Sequence, residues 1–173
     1  MKKEKLTTRD IALMAMYIAF AIVLEYVGNY IPFLQMPNGG SIGLNTIALL
    51  VASYHLGWKK GLLVSIVGVL GGMIVNAPHI AGIAGLLLDY LIAFGIYGIA
   101  VLFPNFGYFY SGILVTNFAR FVCHTLAGVI IWETPLWGSI VYNAPYMIAT
   151  CIVDLIFVPL LMKAISKKTK KAN

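Results

Sequence analysis

An all-α integral membrane protein with six transmembrane helices is the fold that the sequence predicts, and three observations support it. The chain is 61% hydrophobic and 10% charged, whereas soluble domains carry roughly a quarter charged residues. Several apolar runs reach ~18 residues, the length that a helix needs to cross a bilayer. These runs do not alternate with polar residues, which disfavours membrane-spanning strands. We therefore predict a single membrane domain over residues 1–173.

The third observation is the placement of the positive side chains, which predicts an even number of spans with both termini in the cytoplasm. The basic tails, residues 1–9 and 164–173, would then contact anionic lipid at the inner surface. A nucleic-acid partner is not expected, because no basic face is interleaved with aromatic residues. All positive residues except Arg120 flank the predicted spans, in three groups: Lys2, Lys3, Lys5 and Arg9; Lys59 and Lys60; and Lys163, Lys167, Lys168, Lys170 and Lys171.

The six spans follow from the apolar runs and from the turn-forming residues between them. Proline, glycine and asparagine cluster in the outer connections, and a GWKKG motif marks the first cytoplasmic turn. The predicted spans cover residues 10–29, 43–56, 62–75, 81–102, 111–131 and 138–162. Outer loops are predicted at residues 30–42, 76–79 and 133–135, and cytoplasmic turns at 57–61 and 103–110.

Span one carries two small residues four positions apart, Ala15 and Ala19. Such a pair lets another helix approach closely, so we expect either a contact within the protein or a docking face for a partner. Gly68 and Gly72 form a similar GxxxG pair in span three. Glu25, near the outer end of span one, is expected at the membrane interface or at the mouth of a cavity.

Span five carries a polar and aromatic stripe in which Arg120, His124, Gly128 and Trp132 are spaced four apart. On an α-helix each such step rises ~6 Å and turns only ~40°, so the four positions share one slowly turning face. Gly128 is expected to leave a gap between the imidazole and the indole that is wide enough for a flat ring. Because ionisable groups in membrane helices usually face an interior cavity, the stripe predicts one wall of a binding slot.

Spans four and six are expected to supply the other walls of this slot. Asp89 and Tyr90 lie ~10 Å below the outer end of span four by helical rise. The Asp89 carboxylate is expected either to pair with Arg120 or to face a cationic or amine-bearing ligand. Asp154 in span six is an equally plausible partner for Arg120. In its first turns, at the depth of the span-five stripe, span six carries Tyr142, Asn143 and Tyr146.

The concentration of polar residues in the outer halves of spans four to six predicts an outward-facing pocket for a small aromatic and polar solute. A channel is disfavoured, because these residues do not continue through the inner leaflet. No P-loop, nucleophile elbow or metal-ligand cluster occurs in the sequence, so neither a cofactor nor an enzyme using His124 and Asp89 as acid and base is expected. His79 is expected to face solvent or cap a helix, with ligand contact as the alternative.

Four sequence runs carry a family resemblance: GGSIGLNTIALLVASYHLGWKKG, LLLDYLIAFGIYGIA, FARFVCHTLAGVIIW and SIVYNAPY. Together they resemble the thiamine-binding S component of energy-coupling factor (ECF) transporters, the ThiT family, over nearly the whole chain. The most specific parts are the acidic–Tyr pair, the HxxxGxxxW run and the Tyr-Asn of the last span. The resemblance implies a thiamine site in which Trp132 stacks on an aromatic ring and which is formed by Asp89, Tyr90, His124, Gly128, Trp132 and Asn143.

The resemblance also implies a mechanism and partners. S components bind a vitamin in the prokaryotic plasma membrane, have no ATPase of their own, and dock on a coupling membrane subunit with two cytoplasmic ATPases. Ala15 and Ala19 match the docking feature of the family on span one. The absence of a P-loop from the sequence agrees with ATP hydrolysis by a separate subunit.

Two departures from the family pattern concern the ligand. The acidic residue is Asp where some members have Glu, and Gly138 stands where some carry a ligand-contacting Tyr. Trp137 or Tyr142 is expected to substitute for that Tyr, and Tyr30 or Phe33 for an outer-loop tryptophan of the family. These departures keep open an S component for a thiamine precursor or another vitamin. A non-transport membrane scaffold, with polar residues that only join helices, is the alternative from a different class.

Overall fold

The computed structural model describes residues 6–36, 40–78 and 80–172 and confirms an all-α membrane protein. Two short antiparallel strands, β1 (Asn105–Phe106) and β2 (Phe109–Tyr110), form a hairpin between the fourth and fifth helices. Residues 37–39, His79 and the lysines at positions 2, 3 and 5 lie outside the described residues. The helices are α1 (Thr8–Tyr30), α2 (Asn45–Leu56), α3 (Trp58–Asn76), α4 (Gly82–Leu102), α5 (Ser111–Ile130) and α6 (Leu136–Ala172).

Helix α2 differs from the other five, because it is the most deeply enclosed and the shortest. The other five helices are long and apolar enough to cross a membrane. The 12 residues of α2 rise only ~18 Å as a helix, less than the ~30 Å of hydrocarbon in a bilayer. Leu49, Leu50 and Ala52 of α2 are completely buried, and α2 packs against α1, α3, α4 and α6. The number of spans and the cytoplasmic location of the termini stay predictions.

The first cytoplasmic turn is shorter than predicted. The expected turn at residues 57–61 is reduced to Gly57, and the residues after it already belong to α3. Gly57 has φ 85°, a backbone conformation that only glycine adopts readily, so one residue suffices to reverse the chain. The Nζ atom of Lys60 lies 2.7 Å from Oδ1 of Asp10 and ties the start of α3 to the start of α1.

Two other boundaries also differ from the prediction. Residues 103–110 form the β1–β2 hairpin, in which Asn105 pairs with Tyr110 and Phe106 with Phe109. Gly107, with φ 63°, supplies the turn of this hairpin. Helix α6 continues beyond the predicted end at Met162 to Ala172.

Glycines bring α2, α3 and α4 into direct backbone contact. A Cβ atom on Gly61 of α3 would lie 2.7 Å from the carbonyl oxygen of Gly98 and 2.7 Å from Cα of Ser53. A Cβ atom on Gly98 of α4 would overlap the backbone of Leu62. The Ser53 hydroxyl donates to the Gly98 carbonyl at 2.7 Å across this contact. Small residues at such crossings let membrane helices gain van der Waals contact along their backbones.

We predict that Gly98→Ala destabilises the protein, because the added methyl group overlaps the α3 backbone. Overpacking of this kind lowers the free energy of unfolding by about 1–3 kcal/mol. Thermal unfolding in detergent measures the effect. Gly95→Ala is the matched control, since a Cβ atom there would meet Ile66 and Leu62 only at 3.8 Å. Equal melting temperatures for the two variants would contradict the assigned packing.

Candidate functional site

A cavity of about 1080 Å³ lies among α1, α3, α4, α5, α6 and the loop that follows α1. Side chains from each of these elements line it, and polar and aromatic groups predominate over aliphatic ones. All of the ligand residues named from the sequence reach this one cavity: Asp89, Tyr90, His124, Gly128, Trp132, Tyr142 and Asn143. Their contact with a ligand stays a prediction, but the structure does bring them together.

The α4 wall of the cavity is formed by a stretch of π-helix. Residues Leu86–Leu91 adopt this wider winding and include Asp89 and Tyr90, while α-helical turns precede and follow them. A π-helical turn inserts an extra residue per turn and is found frequently at functional sites. Here it directs the carboxylate and the phenol towards the cavity.

A hydrogen-bonded chain of three residues joins α4 to α5 at the cavity. The Nε atom of Arg120 donates to Nε2 of His124 at 3.0 Å, and Nδ1 of His124 lies 2.9 Å from Oδ1 of Asp89. Because an arginine Nε can only donate, Nε2 of His124 must accept and carries no proton. Nδ1 of His124 therefore holds the proton and donates to the Asp89 carboxylate, with the imidazole neutral.

The predicted pairing of Arg120 with Asp89 or Asp154 is wrong, since neither carboxylate forms an ion pair with this arginine in the described structure. The guanidinium carbon of Arg120 instead lies 4.0 Å from the ring centre of Phe94. Its Nη1 atom donates to the Tyr97 hydroxyl at 3.4 Å. Stacking on an aromatic face and two neutral acceptors take the place of a direct counter-ion.

Asp154 is completely buried below the cavity and is held by neutral donors. The Thr46 hydroxyl donates to one carboxylate oxygen at 2.8 Å, and the Asn117 amide donates to the other at 3.0 Å. Asn117 also accepts from the Tyr97 hydroxyl at 2.9 Å. Asp154 and Arg120 therefore belong to one network, connected through Tyr97 and Asn117.

Gly128 contacts α6 in addition to lining the cavity, and the flat ring expected beside it stays a prediction. A Cβ atom at Gly128 would overlap the Ser139 hydroxyl of α6, so the missing side chain makes room for a helix contact as well as lining the cavity. The Ser139 hydroxyl donates to the Thr125 carbonyl of α5 at 2.9 Å. Asn143 then donates to the Ser139 carbonyl at 2.8 Å, and its amide oxygen accepts from the Tyr146 hydroxyl.

Among its described residues, the loop after α1 contributes polar side chains to the cavity. Tyr30 and Phe33 are 70% and 81% exposed and are absent from the described cavity lining, and the expectation that one of them replaces a loop tryptophan stays a prediction. Gln35 lines the cavity and donates to the Gly28 carbonyl at 2.9 Å. Of the two substitutes proposed for a tyrosine at position 138, Tyr142 lines the cavity, whereas Trp137 is 73% exposed and does not.

Several cavity residues lie outside the set of ligand residues named from the sequence, among them Glu25, Asn76, Phe94 and Tyr146. Tyr146 follows Asn143 by three positions and Phe94 follows Tyr90 by four, spacings that place each pair on one helix face, so both positions were available from the sequence. Glu25 was expected at the membrane interface or at a cavity mouth, and the structure places it at the cavity. Asn76 required the arrangement of helices, because no local spacing relates α3 to α4.

A polar cavity enclosed among membrane helices is typical of membrane proteins that bind or move a solute. The family profile described as Thiamine transporter protein (Thia_YuaJ) matches residues 11–170, and the chain belongs to that family. The chain is 27% identical over 180 residues to the thiamine transporter ThiT of Bacillus subtilis (strain 168), covering 92% of this chain and 91% of that protein. These findings confirm the family resemblance and a multi-pass location in the cell membrane.

We predict that Arg120→Met removes the only described donor to Nε2 of His124, while the Asp89 carboxylate keeps the proton on Nδ1. Nitrogen NMR of labelled protein in detergent should show an Nδ1-protonated imidazole in both proteins, with the Nε2 resonance shifted in the variant because its hydrogen bond is lost. His55, whose Nδ1 atom lies 2.8 Å from the Tyr17 hydroxyl, serves as the internal reference and should not change. An unchanged His124 signal would contradict the assigned hydrogen bond.

Proposed function

We propose that this chain is the thiamine-binding S component of an ECF-type importer. Membership of the thiamine transporter family supports a non-enzymatic role in thiamine transport. The finer proposal is that thiamine binds in the cavity from the outer side and is delivered inside with a separate coupling subunit and two ATPases. The observation that carries it is the convergence of Asp89, His124 and Trp132 on one cavity.

The aromatic lining of the cavity suits a flat, electron-poor ligand. The indole of Trp132 lies at the cavity and is 54% exposed, so a ring can stack on it from the open side. Stacking and cation–π contact on an indole contribute about 0.5–2 kcal/mol, with the larger values where water is excluded. The phenols of Tyr90 and Tyr142 supply further aromatic surface beside it. An aminopyrimidine joined to a thiazolium is a ligand of this kind.

The polar lining is already oriented before a ligand arrives. The neutral His124 imidazole directs one carboxylate oxygen of Asp89, and the other oxygen has no hydrogen bond among the described contacts. Asn143 is held through both its amide nitrogen and its amide oxygen. Preorganised acceptors and donors suit the polar atoms of thiamine, because each buried hydrogen bond left unmade costs about 1–3 kcal/mol.

Helix α1 is the surface that we assign to the coupling subunit. Ala15 and Ala19 are both exposed in the isolated chain, which fits a docking face and not an internal helix contact. Small side chains at this spacing let a second helix approach closely. The sequence contains no P-loop, which agrees with ATP hydrolysis outside this subunit.

We predict that thiamine quenches the tryptophan fluorescence of the detergent-purified protein saturably, at sub-micromolar concentration. Trp132→Phe should remove most of the signal and weaken binding, and Asp89→Asn should weaken binding at least about tenfold, because a charge-assisted contact is lost. Calorimetric titration checks the affinity independently of the fluorophore. Trp137→Phe is the control, since Trp137 lies outside the described cavity lining.

The same titration separates the alternatives to thiamine. A response to a pyrimidine precursor or to another vitamin, without one to thiamine, would keep the transporter and overturn the ligand. No response to any of these solutes would favour the scaffold interpretation, which family membership otherwise disfavours.

We also predict that bulky substitutions on α1 separate binding from transport. Ala15→Trp and Ala19→Trp should leave thiamine affinity unchanged, because neither residue lines the cavity. Uptake of labelled thiamine should fall at least about tenfold in cells that express the chain with its coupling subunit and ATPases, since close helix contact is lost. Ile148→Trp, on an exposed position of α6, is the control. Normal uptake by both α1 variants would contradict the docking assignment.

A further inference from the structure

A second carboxylate, that of Glu25, faces the cavity from the wall formed by α1 and α3. The same residue borders a side cavity of about 50 Å³, which extends between α1 and α2 and is also lined by Asn29 and Asn45. Asp89, in contrast, lies on the wall formed by α4 and α5. Tyr90 lines the cavity together with both carboxylates. The cavity is therefore bordered by two acidic groups on different walls.

The carboxylate of Glu25 packs against Gly72 of α3. A Cβ atom on Gly72 would lie 2.9 Å from the carboxylate carbon of Glu25, so a side chain there would displace the carboxylate from its observed position. Asn45 of α2 donates to Oε2 of Glu25 at 3.4 Å. Gly72, assigned from the sequence to helix–helix contact, thus also makes room for a cavity side chain.

Glu25 has no cationic partner of its own in the part of the chain that the structure describes. Arg120 lines both cavities with Glu25 but forms no ion pair with it in the described structure, and its Nε and Nη1 atoms bond His124 and Tyr97. A carboxylate within a membrane helix bundle normally pairs with a cation or lies on a ligand path. The missing counter-charge at Glu25 therefore points to the ligand.

We propose that Glu25 binds the permanent cation of the ligand, the thiazolium of thiamine, and leaves Asp89 and His124 to the aminopyrimidine. This inference rests on thiamine as the ligand of the cavity. Asp89 already accepts a hydrogen bond from His124 on the same side as the Trp132 ring, so it is suited to an N–H donor on a stacked ring. Glu25, held by a neutral amide, is suited to balance a charge, and Coulomb attraction is strengthened where water is displaced.

The test compares thiamine with deazathiamine, in which a neutral thiophene replaces the thiazolium and the rest of the molecule is unchanged. Calorimetric titration of the purified full chain gives the affinity for each ligand. Glu25→Gln should weaken thiamine binding at least about tenfold and leave deazathiamine binding within about twofold of the wild type. Asp89→Asn should weaken both ligands to a similar extent, because the aminopyrimidine is common to them.

Two further variants separate a specific role from a general one. Glu133→Gln removes a negative charge from the outer loop at an exposed position outside the described cavity lining, and it should leave both affinities unchanged. Glu25→Asp keeps the charge but shortens the side chain by one methylene group. Its preference for thiamine over deazathiamine should therefore lie between those of Glu25→Gln and the wild type. Thermal unfolding in detergent establishes that each variant is folded.

Three other results would each contradict the role proposed for Glu25, and each would point to a different explanation. Equal losses for thiamine and deazathiamine in Glu25→Gln would make Glu25 a packing residue, and an unchanged thiamine affinity would remove it from the site. If Asp89→Asn lost the preference for thiamine over deazathiamine and Glu25→Gln kept it, the cation would be assigned to Asp89. Failure of the wild type to bind thiamine would instead overturn the proposed function, and it is seen before any variant is measured.

Discussion

The fold and the cavity both depend on the requirement that polar side chains within a membrane find partners inside the protein, because hydrocarbon offers none. Arg120 meets this requirement by bonding His124 and Tyr97 while its guanidinium stacks on Phe94. The bonds continue from Tyr97 through an amide to the fully buried Asp154. Because the bonded groups belong to α2, α4, α5 and α6, one network links four helices and ends at the cavity.

Close packing of the helix backbones complements this network. Gly61 and Gly98 bring α3 and α4 together beside α2, and Gly128 does the same for α5 and α6. Van der Waals contact and interhelical hydrogen bonds are the main attractions between membrane helices, since lipid tails are as apolar as the side chains. A short, enclosed α2 therefore fits at the centre, and the longer helices around it leave their outer ends to form the cavity.

The cavity differs from a purely structural polar cluster in how its charges are balanced. The Asp89 carboxylate accepts a hydrogen bond from the neutral imidazole of His124, and the Glu25 carboxylate accepts one from the amide of Asn45. Arg120, which lines the cavity with both carboxylates, is hydrogen-bonded to His124 and Tyr97. A cationic aromatic solute would complete this arrangement, which connects the family of the chain to the physical properties of its site.

The sequence by itself determined the membrane class, the order of the helices and a set of seven residues that meet at the cavity, because apolar length and helical spacing are local properties. Only the tertiary structure decided which groups face one another across helices. It gave Arg120 aromatic and neutral partners, placed Ser139 against Gly128, and left Tyr30 exposed and outside the described cavity lining. It also decided between the two positions that the sequence left open for Glu25, the membrane interface and a cavity mouth, because its place at the cavity depends on how α1 packs against α3.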